Sequence, residues 1–353
     1  MDINQKTLSR RAALMRGAQW LAGGVVTMSP AHLAFSQDQS KRSVPVSMPD
    51  QKIWSSEYWA KKKDISLYIF RKRRGAPKPG ETPRPVLFLA HGSSVSSVPS
   101  FDLVVPGHGN YSMMDTFAEC GFDVWTMDFE GYGKSGAGPG NSDIASGVED
   151  LKAAAEVIVR ETRQTRFHLY GESSGALRAG AFAMAEPDRV ERLALGSFTW
   201  TGQGSPTLSK RSDSVEYFRA HNRRKRDREM IRSIFTRDKP GTSDPAVADA
   251  MADAELKFGD TVPTGTYLDM TTRLPIVDPL KLRVPVLIVR GEYDGIATEE
   301  DLLNFFQKLA VPDRELVILP GASHSLGLGL NREQFWHVVR CFLEMPKRMD
   351  TQS

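Results

Sequence analysis

Short, wholly apolar runs alternate with amphipathic stretches along most of this chain. Val86 to Ala90 (VLFLA) has no polar position, the pattern of a strand buried on both faces, and it ends at His91-Gly92. Before it, Asp64 to Phe70 (DISLYIF) reads as a strand, followed by a basic turn from Arg71 to Arg74 and a Pro-rich loop to Pro85. Helical spacing from Met113 to Cys120 leads through Gly121 to a strand from Phe122 to Met127. Asn141, Ser142 and Asp143 offer N-caps for a long helix to about Glu161. A strand from Phe167 to Tyr170 then runs into Gly171, a helix spans Ala176 to Ala185, and a strand spans Val190 to Leu195. The rhythm breaks near Thr199 and resumes at Val284, with strands at Val286 to Val289 and Glu315 to Leu319 and helices at Glu299 to Leu309 and Arg332 to Leu343. Strands alternating with helices predict an α/β protein with a mostly parallel sheet covered on both faces. The interrupting stretch is polar, charged and dotted with Trp200, Tyr217, Phe218, Phe235 and Tyr267, and it reads as an inserted helical cap. The expected organisation is a signal at 1–36, core at 37–198, cap at 199–278 and core again at 279–353.

Composition narrows the classes. At 353 residues with 40% hydrophobic and 25% charged positions the chain suits a soluble globular protein, which argues against disorder, collagen and coiled coil. Its net charge of +3 is a small difference between 46 basic and 43 acidic residues, so it points to neither a nucleic-acid nor a membrane partner. Ser9-Arg10-Arg11-Ala12-Ala13-Leu14 resembles the twin-arginine export motif, although Ala13 stands where Phe is usual and Met15 where Lys is frequent. The apolar stretch from Trp20 to Met28 falls short of the roughly 20 residues a membrane span needs. Export by machinery for folded proteins, cleavage near Gln37 and a periplasmic or secreted location are expected.

Gly171-Glu172-Ser173-Ser174-Gly175 is the only G-x-S-x-G in the chain, and it lies where a predicted strand passes directly into a predicted helix. A nucleophile projecting from so tight a turn needs small residues two before and two after it, which Gly171 and Gly175 supply. The alternative is a Gly-rich turn with an inert serine. A serine hydroxyl also needs a base, itself oriented by a third group. Asp294 follows one predicted strand and His324 follows the next, both on loops at the carboxyl ends of strands. Those ends share one edge of a parallel sheet, so Ser173, Asp294 and His324 converge there.

The chain from about Asp64 to Leu343 resembles the α/β-hydrolase superfamily, with the triad in that family's order of Ser, Asp, His. His91-Gly92-Ser93-Ser94 resembles its oxyanion loop. Asp128 to Ser135 resembles its D-x-R-G-x-G-x-S segment, with Glu130 where Arg is common. The resemblance implies an oxyanion hole made by the backbone N–H of Ser174 and of Ser93, or less readily Ser94. It implies a serine esterase acting on a small-molecule ester, with an amidase, lactonase, carbon–carbon hydrolase or acyltransferase using the same triad as the alternative. A non-catalytic binding protein of the fold would have little need of the triad. In that architecture the helices carrying Cys120 and Cys341 cover the same face of the sheet, so a disulfide between them, or two unpaired thiols, is expected.

No cofactor is expected. Gly131-x-Gly133-x-x-Gly136 matches the dinucleotide fingerprint in letters, but the next helix begins too late, and Gly133-Lys134-Ser135 lacks the earlier glycine of a phosphate loop. Metal-ligand spacing is absent as well. The basic run from Arg223 to Arg228 reads as a solvated helix face in preference to an anion site. The cap aromatics either contact an apolar substrate or anchor the cap.

Overall fold

The computed structural model describes residues 52–346 and Arg348, so the expected export signal lies outside the described residues. Eight strands form one sheet: β1 (Ile53–Lys62), β2 (Ile65–Arg74), β3 (Val86–Ala90), β4 (Asp123–Met127), β5 (Phe167–Glu172), β6 (Val190–Gly196), β7 (Val286–Gly291) and β8 (Arg314–Leu319). Their order across the sheet is β1-β2-β4-β3-β5-β6-β7-β8. β2 runs against both of its neighbours, and the six strands from β3 to β8 are parallel.

The period-2 pleat sorts each apolar run between two cores. In β3, Leu87 and Leu89 pack with Met113, Phe117, Phe335 and Val339, while Val86, Phe88 and Ala90 pack on the opposite face with Leu151, Ala155 and Phe182. Helices Met113–Glu119 and Arg332–Leu343 therefore cover one face, and Ile144–Thr162, Ser174–Ala185 and Glu299–Lys308 cover the other. Each large apolar side chain so buried contributes roughly 1.5–3 kcal/mol. Asp143 caps the long helix, its side chain accepting from the Ser146 N–H at 2.8 Å.

One reading at the sheet's edge needs correction. Residues 53–62 form β1, a strand the hydropathy pattern does not predict, and the residues expected as a basic turn, Arg71 to Arg74, are the second half of β2. Alternate charged residues of β2 point inward because partners await them. Arg71 donates to both carboxylate oxygens of Asp123 (2.8 and 2.5 Å), and Arg73 grips Glu81 (2.6 and 2.8 Å). Lys72, on the other face, meets Asp102 and Asp115. A hydropathy pattern registers the charges but not the pairing that permits burial.

Between Gly196 and Val286 lie helices Pro206–Ser212, Val215–Ala220, Arg228–Thr236, Pro245–Glu255 and Gly265–Thr272, and a ribbon pairing Arg223–Lys225 with Thr261–Pro263. The run from Arg223 to Arg228 is thus strand in its first half, Arg223 to Lys225, and only Arg228 lies on a helix, so it is not a solvated helix face. Arg226 is buried and pairs with Glu255 at 2.5 Å, and Asp227 caps the helix that follows. Cys120 and Cys341 are both free: Cys341 faces outward beside His337, one turn back on the same helix, while Arg340 reaches Cys120 Sγ at 3.4 Å.

Candidate active site

β5 delivers Ser173 at a sharp turn into helix Ser174–Ala185. Its φ of 56° and ψ of −121° lie in a region that non-glycine residues rarely occupy, a local strain the packing must hold. Hydrogen bonding from Ser173 N–H to the Gly196 carbonyl (2.9 Å) is part of that hold. The flanking glycines are sterically required. A Cβ on Gly171 would stand 2.3 Å from the Gly175 carbonyl oxygen, and one on Gly175 would stand 2.2 Å from that of Ala90.

The three expected chemical residues meet. His324 Nε2 lies 3.0 Å from Ser173 Oγ, and His324 Nδ1 lies 2.9 Å from Asp294 Oδ1. A carboxylate only accepts, so Nδ1 carries the proton and Nε2 is left to accept from the serine hydroxyl. Gly291, at the end of β7, lets the two loops touch, since a Cβ there would stand 2.4 Å from the Ser323 carbonyl oxygen. Asp294 is buried, which alone would raise its pKa. The opposing influence of His324, by charge and hydrogen bond, and of the Ala297 and Ile296 N–H groups brings it down to about 2. It is therefore ionised at neutral pH.

The loop after β3 is fixed from several sides. The Phe129 N–H donates to His91 Nε2 (3.2 Å), so His91 Nδ1 donates to the Gly92 carbonyl (2.8 Å). Burial, with the charge of Arg178 second, lowers the His91 pKa to about 3 and keeps the ring neutral. Ser93 Oγ donates to Ser174 Oγ at 2.7 Å, and Thr266 Oγ1 donates to Ser93 Oγ at 2.9 Å. The two residues expected to frame an oxyanion hole are thus clamped to each other. As the first residue of its helix, Ser174 has an N–H with no carbonyl one turn back to bond. Arg226 and Glu255 complete the support: Arg226 donates to the Ser94 carbonyl (3.1 Å), and Glu255 accepts from the N–H and Oγ of Ser96 (2.6 and 2.7 Å).

The glycine-rich segment after β4 holds a carboxylate in its turn. Asp128 accepts from the N–H and Oγ of Ser97 (2.8 and 2.7 Å) and from the Lys134 N–H (2.8 Å), and a Cβ on Gly133 would collide with it. A carboxyl group in that turn already occupies the donors a pyrophosphate would need. None of Arg226, Glu255 or Thr266 shows a local sequence signal for this supporting role, because their contacts with the loop after β3 span 132, 159 and 173 residues, whereas Asp128 lies in the glycine-rich segment that the sequence already singles out.

Around Ser173 lies a narrow cavity of about 60 Å³, lined by Gly92, Ser93, Glu172, Ser173, Ile296 and His324, and by Arg211, Ile234, Phe235, Arg237 and Met251 from the segment after β6. Of the five aromatics expected in a cap only Phe235 reaches it. Trp200 instead packs on Phe305 and donates Nε1–H to the Val277 carbonyl (3.1 Å). Glu172 was visible as a variable letter of the serine motif. Burial raises its pKa to about 7, with His324 opposing and Asp294 reinforcing.

The family described as serine aminopeptidase, S33, matches residues 108–328. A 2-hydroxy-6-oxononadienedioate/2-hydroxy-6-oxononatrienedioate hydrolase from Burkholderia vietnamiensis is 35% identical over 112 residues, covering 31% of this chain. The match spans 34% of that relative's own length. A hydrolase from Pseudomonas aeruginosa superposes with a TM-score of 0.60 at 19% identity, over 82% of this chain and 98% of that one. A carboxylesterase from Bacillus subtilis gives 0.57 at 19%, over 83% and 93%. Similarity at that identity speaks to the fold.

Proposed function

The chain belongs to the serine aminopeptidase S33 family, hydrolases of the α/β-hydrolase superfamily, and from that premise we propose that it cleaves a carboxylic ester through an acyl-enzyme on Ser173. The observation that carries this reading is the continuous relay at the strand-to-helix turn, Ser173 Oγ to His324 Nε2 at 3.0 Å and His324 Nδ1 to Asp294 Oδ1 at 2.9 Å. Ser173 Oγ attacks the carbonyl carbon while His324 Nε2 takes its proton. The Ser93 and Ser174 N–H groups receive the charge that develops on the carbonyl oxygen, where one such donor typically contributes about 100- to 1,000-fold in rate. His324 returns the proton to the departing alcohol. Water, deprotonated by the same nitrogen, then releases the acid and regenerates the serine. Asp294 holds the tautomer and stabilises the transient imidazolium. In the same reading residues 199–278 are the cap, walling the cavity with Arg211, Ile234, Phe235, Arg237 and Met251.

A second reading, hydrolysis of a carbon–carbon bond by the same residues, is favoured by the relative from Burkholderia vietnamiensis, whose name describes a dienedioate hydrolase. Labelling with a fluorophosphonate probe, followed by a panel of esters, amides and vinylogous diketones, separates the two. Wild type labels on Ser173 and turns over esters fastest, and Ser173→Ala does neither. Ester turnover retained in purified Ser173→Ala would falsify the assignment, and faster cleavage of the diketones would favour the carbon–carbon reading.

A further inference from the structure

Beside the catalytic cavity runs a wider groove of about 570 Å³, and the two share Ser94, Arg211, Ile234 and Arg237. The groove adds Lys210, Arg224 and Lys225, so five cations line it with no Asp or Glu among the lining residues. Most nearby arginines have acceptors. Arg223 bonds Thr261 and the Gly131 carbonyl, Arg226 pairs with Glu255, and Arg228 pairs with Asp253. Arg211 has none of that kind. Its hydrogen-bond contact is Met270 Sδ at 3.8 Å, a weak acceptor, and among the described residues it forms no ion pair.

Arg211 instead stacks on Tyr267, 4.9 Å from the ring centroid, and Arg224 shares that ring at 4.8 Å. Arg237 has one acid partner, the buried Asp238 at 3.4 Å. Burial foremost, against the pull of Tyr267, and then the charges of Arg237 and Arg224 bring the Arg211 pKa down to about 10. Cations gathered this way, partly out of water and short of counter-charge, are stabilised by an entering anion. The cluster is also tied to the reacting centre, because the Tyr267 hydroxyl lies 2.6 Å from Ser94 Oγ, on the loop that carries Ser93.

We propose that Arg211, with Arg237 and Arg224, binds an oxyanionic group of the substrate, a carboxylate or phosphate carried at a distance from the scissile carbonyl. This rests on the serine-hydrolase reading and assigns that substrate its charge. The planar guanidinium fork suits either oxyanion. Glu172, the one carboxyl lining the catalytic cavity, stands beside Ser173 rather than in the groove.

The test compares hydrolysis of monomethyl adipate and methyl hexanoate in wild type, Arg211→Gln and Arg211→Lys. Loss of a charge-assisted contact should lower the ratio of kcat/KM, anionic over neutral, by about 10- to 100-fold in Arg211→Gln, with partial recovery in Arg211→Lys. A ratio within about twofold of wild type in Arg211→Gln overturns the proposal. A second arm is independent of turnover: calorimetric titration of Ser173→Ala with glutarate and with inorganic phosphate. Binding that weakens about tenfold or more when Arg211→Gln is added supports the site, and the tighter ligand names the oxyanion. Absence of saturable binding by both overturns it. Failure of both esters to turn over while binding persists counts against the hydrolytic reading and leaves the anion site supported.

Discussion

Replacing Asp294 with Asn removes a charge while keeping a shape. The side-chain oxygen can still accept from the Ile296 and Ala297 N–H groups, now at 2.9 and 3.0 Å, so the loop has reason to stay in place. What disappears is the negative charge next to the imidazolium that forms as Ser173 attacks. With Nδ1 and Oδ1 2.9 Å apart, the two charge centres are separated by about 4 Å, and at an effective dielectric near 20 they attract by about 4 kcal/mol. That is about three powers of ten in rate. A wrong imidazole tautomer, which the amide also permits, pushes the loss toward about 10,000-fold. Asp294 is absent from the cavity lining, so KM should barely move and the loss should fall on kcat. Stability should fall modestly, by about 1–3 kcal/mol, because Asp294 Oδ2 has no hydrogen-bond partner among the described residues and an amide nitrogen there would be a buried, unmet donor. Steady-state kinetics on the preferred ester, with a urea melt on the same preparation, read both quantities. A kcat within about tenfold of wild type, or a loss carried by KM, would refute this account of Asp294.

Two further outcomes follow from the same geometry. In Gly175→Ala the new Cβ meets the backbone oxygens of Ala90 and His91 at 2.2 and 2.5 Å, which cannot swing away; a loss of roughly 1–3 kcal/mol or more in a denaturant melt is expected, and wild-type stability would refute the steric argument. In Glu172→Gln the carboxyl that titrates at about 7 is removed, so the wild-type to variant ratio of kcat/KM should be flat at low pH and change as pH rises through about 7, where only wild type gains a charge beside Ser173. Because the folded-state pKa of Glu172 is raised, its contribution to stability is full below the unfolded value and is lost as pH rises through about 7; a wild-type to variant activity ratio independent of pH would sink the assignment.

Much of the molecule is local information. The wholly apolar runs at Val86 to Ala90 and Val286 to Val289 specify strands buried on both faces whatever surrounds them, and G-x-S-x-G between a strand and a helix specifies a tight turn because Gly171 and Gly175 alone leave room for it. Chain order along parallel strands likewise places Ser173, Asp294 and His324 at one edge. Tertiary structure decided what depends on partners far away in sequence. Arg71 and Arg73 extend a strand, rather than turning, because Asp123 and Glu81 neutralise them, and Arg226 leaves a nominally solvated run because Glu255 waits inside. Cys341 stays free because the faces of its helix that bury Phe335, Val339 and Phe342 turn it outward. Arg211 gives no sign in sequence of being short of a counter-charge, since that is a property of the groove and not of the helix that carries it. Periodicity reports which side chains leave water; only the fold reports whom they meet there.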